Sequence, residues 1–183
     1  MGLEDEWVPV EGFDGYSVNP LGQVRRDAVN RLLEIRFNQQ GVPYVGLMRR
    51  DWDRPQAWGE IIHYPNQQHV RSLPKLVARA FLPTPSDIFD TPIQLDGDRA
   101  NCRADNLMWR PRWFAVRYNQ QFKERYPHPI EGPIRALEDE NVFPDSLTAA
   151  CFYGLLEREV VLSVHNKVPV WPTYQMFELA GRE

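Results

Sequence analysis

The stretch "TPIQLDGDRANCRADNLMWR", residues 91–110, decides how the rest of the chain is read. Pro92 to Leu95 predicts a short strand. Asp96-Gly97 supplies its turn, because glycine adopts a positive φ at no steric cost. Ala104 to Trp109 predicts a short turn or helix. Asp96, Asp98 and Asp105 offer carboxylate oxygens of the kind hard cations accept. The stretch contains no histidine, the side chain that most often moves a proton near neutral pH. The plainer reading of these carboxylates is structural: Asp98 and Asp105 are polar loop residues, and Asp96 belongs to the turn.

Working outward, Leu76 to Leu82 is compact helix material. Pro74 suits the helix start, and Pro83 and Pro85 stop it. Downstream, Arg112 to Glu124 is aromatic and basic without a breaker, which predicts a second helix. Residues 7–26 predict short strands punctuated by Gly12, Gly15 and Gly22, with "NPLG" as a turn. Strands continue from Leu33 to Met48 around a hairpin turn at Asn38–Gly41. Residues 51–68 are rich in polar and turn-forming residues and predict an insertion or long loop. One more short strand is expected at His69–Ser72. "YPHPIEGP", 126–133, is a linker by its three prolines. Beyond it, "IRALED" and "NVFP" predict two strands. Asp145 or Ser146 caps a helix through "LTAACFYGLL", a second helix runs Leu156 to Lys167, and "WPTYQMFEL" closes the chain as a strand.

Composition sets the outer limits. The chain has 183 residues, 43% hydrophobic and 25% charged, with a formal net charge of -4. That is an ordinary globular profile rather than a disordered one. No apolar run approaches the length of a membrane span, and the acidic opening "MGLEDEW" lacks a leader's apolar core, so neither is expected. Cys102 and Cys151 form no CxxC pair, which argues against cysteine-held zinc, and a disulfide between them is not expected. Residues 1–130 balance 17 basic against 16 acidic side chains, whereas residues 131–183 carry 4 against 9. The acidic end is poorly suited to a phosphate backbone.

Trp7, Pro9, Gly12, Phe13, Gly15, Tyr16, Val18, Asn19, Gly22, Val24 and Arg25 follow a spaced pattern. It resembles the small module that precedes the catalytic domain in many phage and intron-associated HNH endonucleases. Leu76, Val77, Ala78, Ala80, Phe81 and Pro83 resemble the helix that follows there. Asp96, Gly97, Asn101, Asn106, Leu107 and Trp109 resemble the HNH core itself. "PIRALEDENVFPDSLTAACFYGLL" through "YQMFEL" resembles the helix-turn-helix repeat that often ends such enzymes. The resemblance implies an α+β chain of three modules. They are a small N-terminal β module at 1–60, a degenerate ββα-metal (HNH-like) domain at 61–127, and a β-hairpin plus helix-turn-helix domain at 132–183.

The family's three reactive positions fall on Ile93, Gln94 and Ala115. Isoleucine cannot ligate a metal, a glutamine amide has no useful basicity, and alanine does neither. Pro74 stands where the family has a further histidine. No catalytic residue, metal or cofactor is therefore expected, and Asp96, Gly97, Asn101, Asn106 and Trp109 are read as scaffold. Arg99, Arg103, Arg110, Arg112, Arg117, Lys123 and Arg125, interleaved with aromatic residues, are candidate nucleic-acid contacts. Glu157, Glu159 and Trp171 are candidates for a protein interface. The expectation is a catalytically inactive, HNH-derived phage protein in host cytoplasm or virion. It would act by binding a phage or host protein or a virion assembly, with no membrane role. The alternatives are a non-cleaving DNA-binding regulator and an active endonuclease with displaced ligands.

Overall fold

Two glycine-marked turns show how local chemistry shapes the N-terminal half. Asn38 Oδ1 accepts from the backbone N–H groups of Gln40 and Val42, both at 2.9 Å, and Gly41 closes the turn at a φ of 73°. Asn19 is buried and accepts from the Gln23 N–H at 2.8 Å. Gly22 follows it, and a side chain there would press on the Cys102 carbonyl oxygen at 3.0 Å.

The computed structural model describes residues 6–50, 56–58, 61–63, 65–83 and 86–181. In chain order the strands are β1 (Val8–Pro9), β2 (Tyr16–Val18), β3 (Val24–Arg26), β4 (Arg31–Leu32), β5 (Arg36–Phe37), β6 (Pro43–Arg50), β7 (Gln56–Trp58), β8 (Ile61–His63), β9 (Asn66–Ser72), β10 (Thr91–Gln94), β11 (Leu107–Arg110), β12 (Ile134–Ala136), β13 (Val142–Phe143) and β14 (Phe177–Leu179). The helices are α1 (Leu73–Phe81), α2 (Arg112–Gln121), α3 (Ser146–Tyr153) and α4 (Glu157–Asn166). This is a mixed α+β fold with small antiparallel sheets. It divides into two units, Met1–Asp87 with Asp98–Trp109, and Ile88–Gly97 with Arg110–Glu183.

In the first unit, β1 to β4 form a meander, and β5, β6 and β9 form a second sheet. Val45 and Leu47 on β6 are fully buried, as are Leu73, Val77 and Ala78 on α1. That 1-5-6 spacing lays one face of α1 on the core. Ala104 N–H donates to the Pro20 carbonyl at 2.8 Å, which ties the 98–109 segment to the meander turn.

The insertion expected at 51–68 is corrected where it is described: β7 pairs with β8, and β9 begins at Asn66 and follows β6 for seven residues. The polar "NQQ" reads as loop by composition, but pairing with β6 satisfies its backbone, and its side chains are exposed. Residues 51–55, 59–60 and 64 lie outside the described residues. The 104–109 segment is a 3-10 turn at Ala104–Asn106 followed by β11. The closing strand is short: Val170 and Gln175 form an isolated bridge, so Trp171–Tyr174 is a loop and only Phe177–Leu179 joins the sheet.

In the second unit, β12 lies between β13 and β14. Asp145 caps α3 by accepting from the Thr148 N–H at 2.7 Å. Gly154, at a φ of 61°, ends α3, and α4 begins three residues later. Ile134, Ala136, Ala149, Ala150, Leu155, Val160 and Phe177 have no exposed surface and form the core of this end. Tyr153 joins them, with its hydroxyl 2.7 Å from both Asp139 carboxylate oxygens.

Burial pushes the Tyr153 phenol up to about 12; Asn141 opposes this and Asp139 adds to it. A raised folded pKa gives stability that is complete below the unfolded value and lost as pH rises through the folded one. The stability difference between the wild type and Tyr153→Phe is therefore expected to stay constant up to about pH 10 and to shrink as pH approaches 12. Urea unfolding across that range measures it, and a difference independent of pH would refute the assignment.

Candidate functional site

The three reactive positions named by the resemblance lie in the second unit, two on β10 and one on α2. β10 is apolar enough to be covered. Ile93 is fully buried, Gln94 is 5% exposed, and the turn closes by a Gly97 N–H donation to the Gln94 carbonyl at 3.1 Å. Gly97 sits at a φ of 75°, and a side chain there would meet the Phe122 ring within 2.5–2.7 Å. The turn thus needs glycine twice over, for its backbone and for its neighbour.

α2 has two faces. Phe114, Ala115, Tyr118 and Gln121 are buried, whereas Arg112, Trp113, Val116, Arg117 and Gln120 are exposed. Ala115 lies on the inner stripe, 4% exposed. Asn119 donates to the Ala115 carbonyl at 2.7 Å, a bond within its own helix. Tyr118 donates its hydroxyl to the Leu95 carbonyl at 2.9 Å, which fixes helix to turn. Its phenol is pushed above the ordinary range by burial and then by nearby Cys151, whose own thiol burial also raises. Ile93, Gln94 and Ala115 therefore occupy interior positions.

Among the described residues, no group of three or more His, Cys, Asp or Glu side chains is placed to hold a metal ion. His69 is half-buried edge-on to Phe13 at 5.5 Å, and His128 stands edge-on to Tyr126 at 6.3 Å. His165 is exposed in the last turn of α4, and the side chain of His63 lies outside the described residues.

The loop residues act on backbone in the first unit. Asn106 donates to the Asn101 carbonyl at 3.0 Å, and Asp98 accepts from the Ala100 N–H at 2.9 Å. Trp109 is buried. In the second unit, Asp96 is exposed beside Gly97.

The expected basic surface is not uniform. Arg110 is corrected outright: it is 5% exposed and donates to the carbonyls of Tyr153 at 2.8 Å and Gly154 at 3.0 Å. It closes the carbonyl end of α3, where a cation also suits the helix dipole, and burial pulls its pKa down to about 10. Arg103 is forked onto Asp105 at 2.9 and 3.1 Å. Arg99 donates to the Gln40 carbonyl at 2.6 Å, and Arg125 pairs with Glu157 at 3.1 Å. Arg112, Arg117 and Lys123 are exposed.

Glu157 is the second correction. It is 1% exposed and is held by partners of its own unit, so it is no open interface group. Its carboxylate accepts from Ser146 Oγ at 2.8 Å and from Arg125, and its N–H donates to Gln121 Oε1 at 2.9 Å. Gln121 carries no signal in the sequence, and Ser146 is legible there only as a possible helix cap, because their bonds to Glu157 join residues more than ten positions apart. Glu159 is half-buried, and both it and Glu157 line a cleft of about 500 Å³ with Arg117, Arg125 and Arg158. Trp171 is 38% exposed and stacks on Trp113, with ring centroids 5.5 Å apart.

No protein-family model matches the chain, and no curated protein matches it. A solved structure of the HNH homing endonuclease I-HmuI, concerned with its DNA binding and cleavage, aligns with it at 17% identity. The alignment covers 97% of this chain and 99% of that one, with a TM-score of 0.47.

If these positions serve the core, placing reactive groups there harms the fold. Ile93→Asp is expected to cost at least about 3 kcal/mol by burying a carboxylate without a partner. Ala115→Asn is expected to cost about 1–3 kcal/mol by overpacking. Urea unfolding followed by tryptophan fluorescence reads both, and a variant as stable as the wild type would contradict the assignment.

Proposed function

We propose that this chain is a non-cleaving binding protein built on an HNH-type scaffold, phage-encoded, whose partner is a phage or host protein or a virion assembly. One observation carries the reading: Ile93, Gln94 and Ala115, at the positions where the family does its chemistry, are packed inside the second unit. An HNH-type site hydrolyses a phosphodiester with a metal and a water at an accessible atom, and a buried isoleucine and alanine provide neither a ligand nor access. The module order expected from the sequence, 1–60, 61–127 and 132–183, belongs to the same proposal, as does the helix-turn-helix reading of α3 and α4. The protein partner is favoured because exposed Trp113 and Trp171, with Arg117 beside them, are the residue types that dominate protein interfaces.

Non-cleaving DNA contact is the second reading, and it rests on exposed Arg112, Arg117 and Lys123. Three phosphate contacts would give a logarithmic salt slope of about -3. Anisotropy of a labelled duplex titrated between low and moderate salt tests it.

For the main reading, purified chain is incubated with supercoiled plasmid and Mg²⁺ or Mn²⁺. The expected outcome is no nicking above a mock preparation. Cleavage that disappears in Asp96→Ala would establish an active nuclease with displaced ligands and end the proposal.

A further inference from the structure

The outer face of α2 carries a ladder of rings. Phe89 lies 5.9 Å from Trp171, Trp171 lies 5.5 Å from Trp113 at 22°, and the Arg117 guanidinium stands 5.5 Å over Trp113. Phe114, on the buried face, braces Trp171 at 5.9 Å and Trp113 at 5.7 Å. The loop that presents Trp171 is closed by Val170 N–H to Gln175 O at 2.8 Å and Tyr174 N–H to Val170 O at 2.7 Å. The ladder is thus held from both sides. Even so, Trp113 is 54% exposed, Trp171 38%, and Val116 on the same helix face 62%.

We infer that the Trp113–Trp171 ladder, with Val116, Arg112 and Arg117, is the docking surface for a partner protein segment that presents an apolar side chain between two carboxylates. The inference rests on the binding-protein reading above and names its surface. Charge complementarity selects the carboxylates. The exposed stripe Arg112, Trp113, Val116, Arg117 and Gln120 contains two cations and no acid; Glu124, which bonds Gln120 at 3.2 Å, and Glu159 lie in the cleft that Arg117 also borders. The arginines stand five positions apart, about 140° around the helix axis, so they flank Trp113 and Val116 on opposite edges of the stripe. Arg117, stacked on Trp113, keeps its N–H edge available for a fork onto a carboxylate.

Two other occupants fit less well. Single-stranded nucleic acid binds by stacking bases on open aromatic faces. Here Trp171 has Phe89, Trp113 and Phe114 at 5.5–5.9 Å, and Trp113 has Trp171 and the Arg117 guanidinium, so both rings are already engaged by neighbours of this chain. A second copy across a two-fold axis would set this stripe against itself and bring arginine against arginine.

The probe is a phage-displayed library of random twelve-residue peptides, selected on the immobilised full chain and counter-selected on Trp113→Ser. The expected result is a consensus with Leu, Ile, Phe or Trp bracketed by Asp or Glu. Synthetic consensus peptide should bind the wild type at least about tenfold more tightly than Trp113→Ser. Arg117→Glu should reverse the charge preference at one flank, so that a Glu→Lys change in the peptide restores binding. Unchanged circular dichroism of both variants excludes misfolding as the cause. Three outcomes overturn the inference. The first is selected peptides that bind wild type and Trp113→Ser alike, or no enrichment at all. The second is quenching of tryptophan fluorescence by a twelve-residue oligo(dT) that requires Trp113. The third is a dimer in sedimentation that Trp113→Ser dissociates. Plasmid cleavage would refute the non-cleaving reading and leave this test readable.

Discussion

The inner stripe of α2 organises the second unit. Phe114, Ala115 and Tyr118 are buried together, Tyr118 bonds the Leu95 carbonyl, and Phe122 fills the space that Gly97 leaves open. A small residue at 115 permits this fit, because a larger or polar side chain on a buried helix stripe would open a gap or carry an unmet hydrogen bond. The same packing turns Ile93 inward. Ile93, Gln94 and Ala115 are thus interior positions of the second unit, and Tyr118 bonds the helix to the turn after β10.

Charges follow a similar logic. Arg110 serves the carbonyl end of α3, and Glu157 begins α4 while tying Ser146, Gln121 and Arg125 together. A buried charge persists only when it is paired or hydrogen-bonded, and both residues meet that condition within the unit. Two residues that look like surface recognition groups in the sequence are therefore structural. Of the seven basic candidates, Arg112, Arg117 and Lys123 remain exposed outside the Arg103–Asp105 and Arg125–Glu157 ion pairs, and Arg117 stands over the Trp113 ring.

Much of the architecture could be read from local chemistry. Pro74 opening α1, Asp145 capping α3, the Asn38–Gly41 turn and the two terminal helices all follow from short-range rules. The errors share a cause. Asn66–Gln68 reads as loop because its side chains are polar, yet its backbone partners lie on β6, across the hairpin. Trp171 to Gln175 alternates like a strand but closes on itself. Arg110 and Glu157 look exposed by type, and only long-range partners show otherwise. At the candidate site, the sequence named the substituted positions but could not say whether they face solvent, since burial is set by the packing of α2. The pairing of Trp113 with Trp171 was equally hidden, because they stand 58 positions apart.

On the proposed non-cleaving reading, the buried Ile93, Gln94 and Ala115 bind no metal ion. Methyl-resolved NMR of the full chain titrated with Mn²⁺ tests this most directly, since a bound paramagnetic ion broadens nearby signals. The Ile93 and Ala115 methyl resonances, and the Gln94 side-chain amide, are expected to broaden no more than other buried groups. Selective loss of those three signals at low Mn²⁺ would place a cation at the site and contradict it.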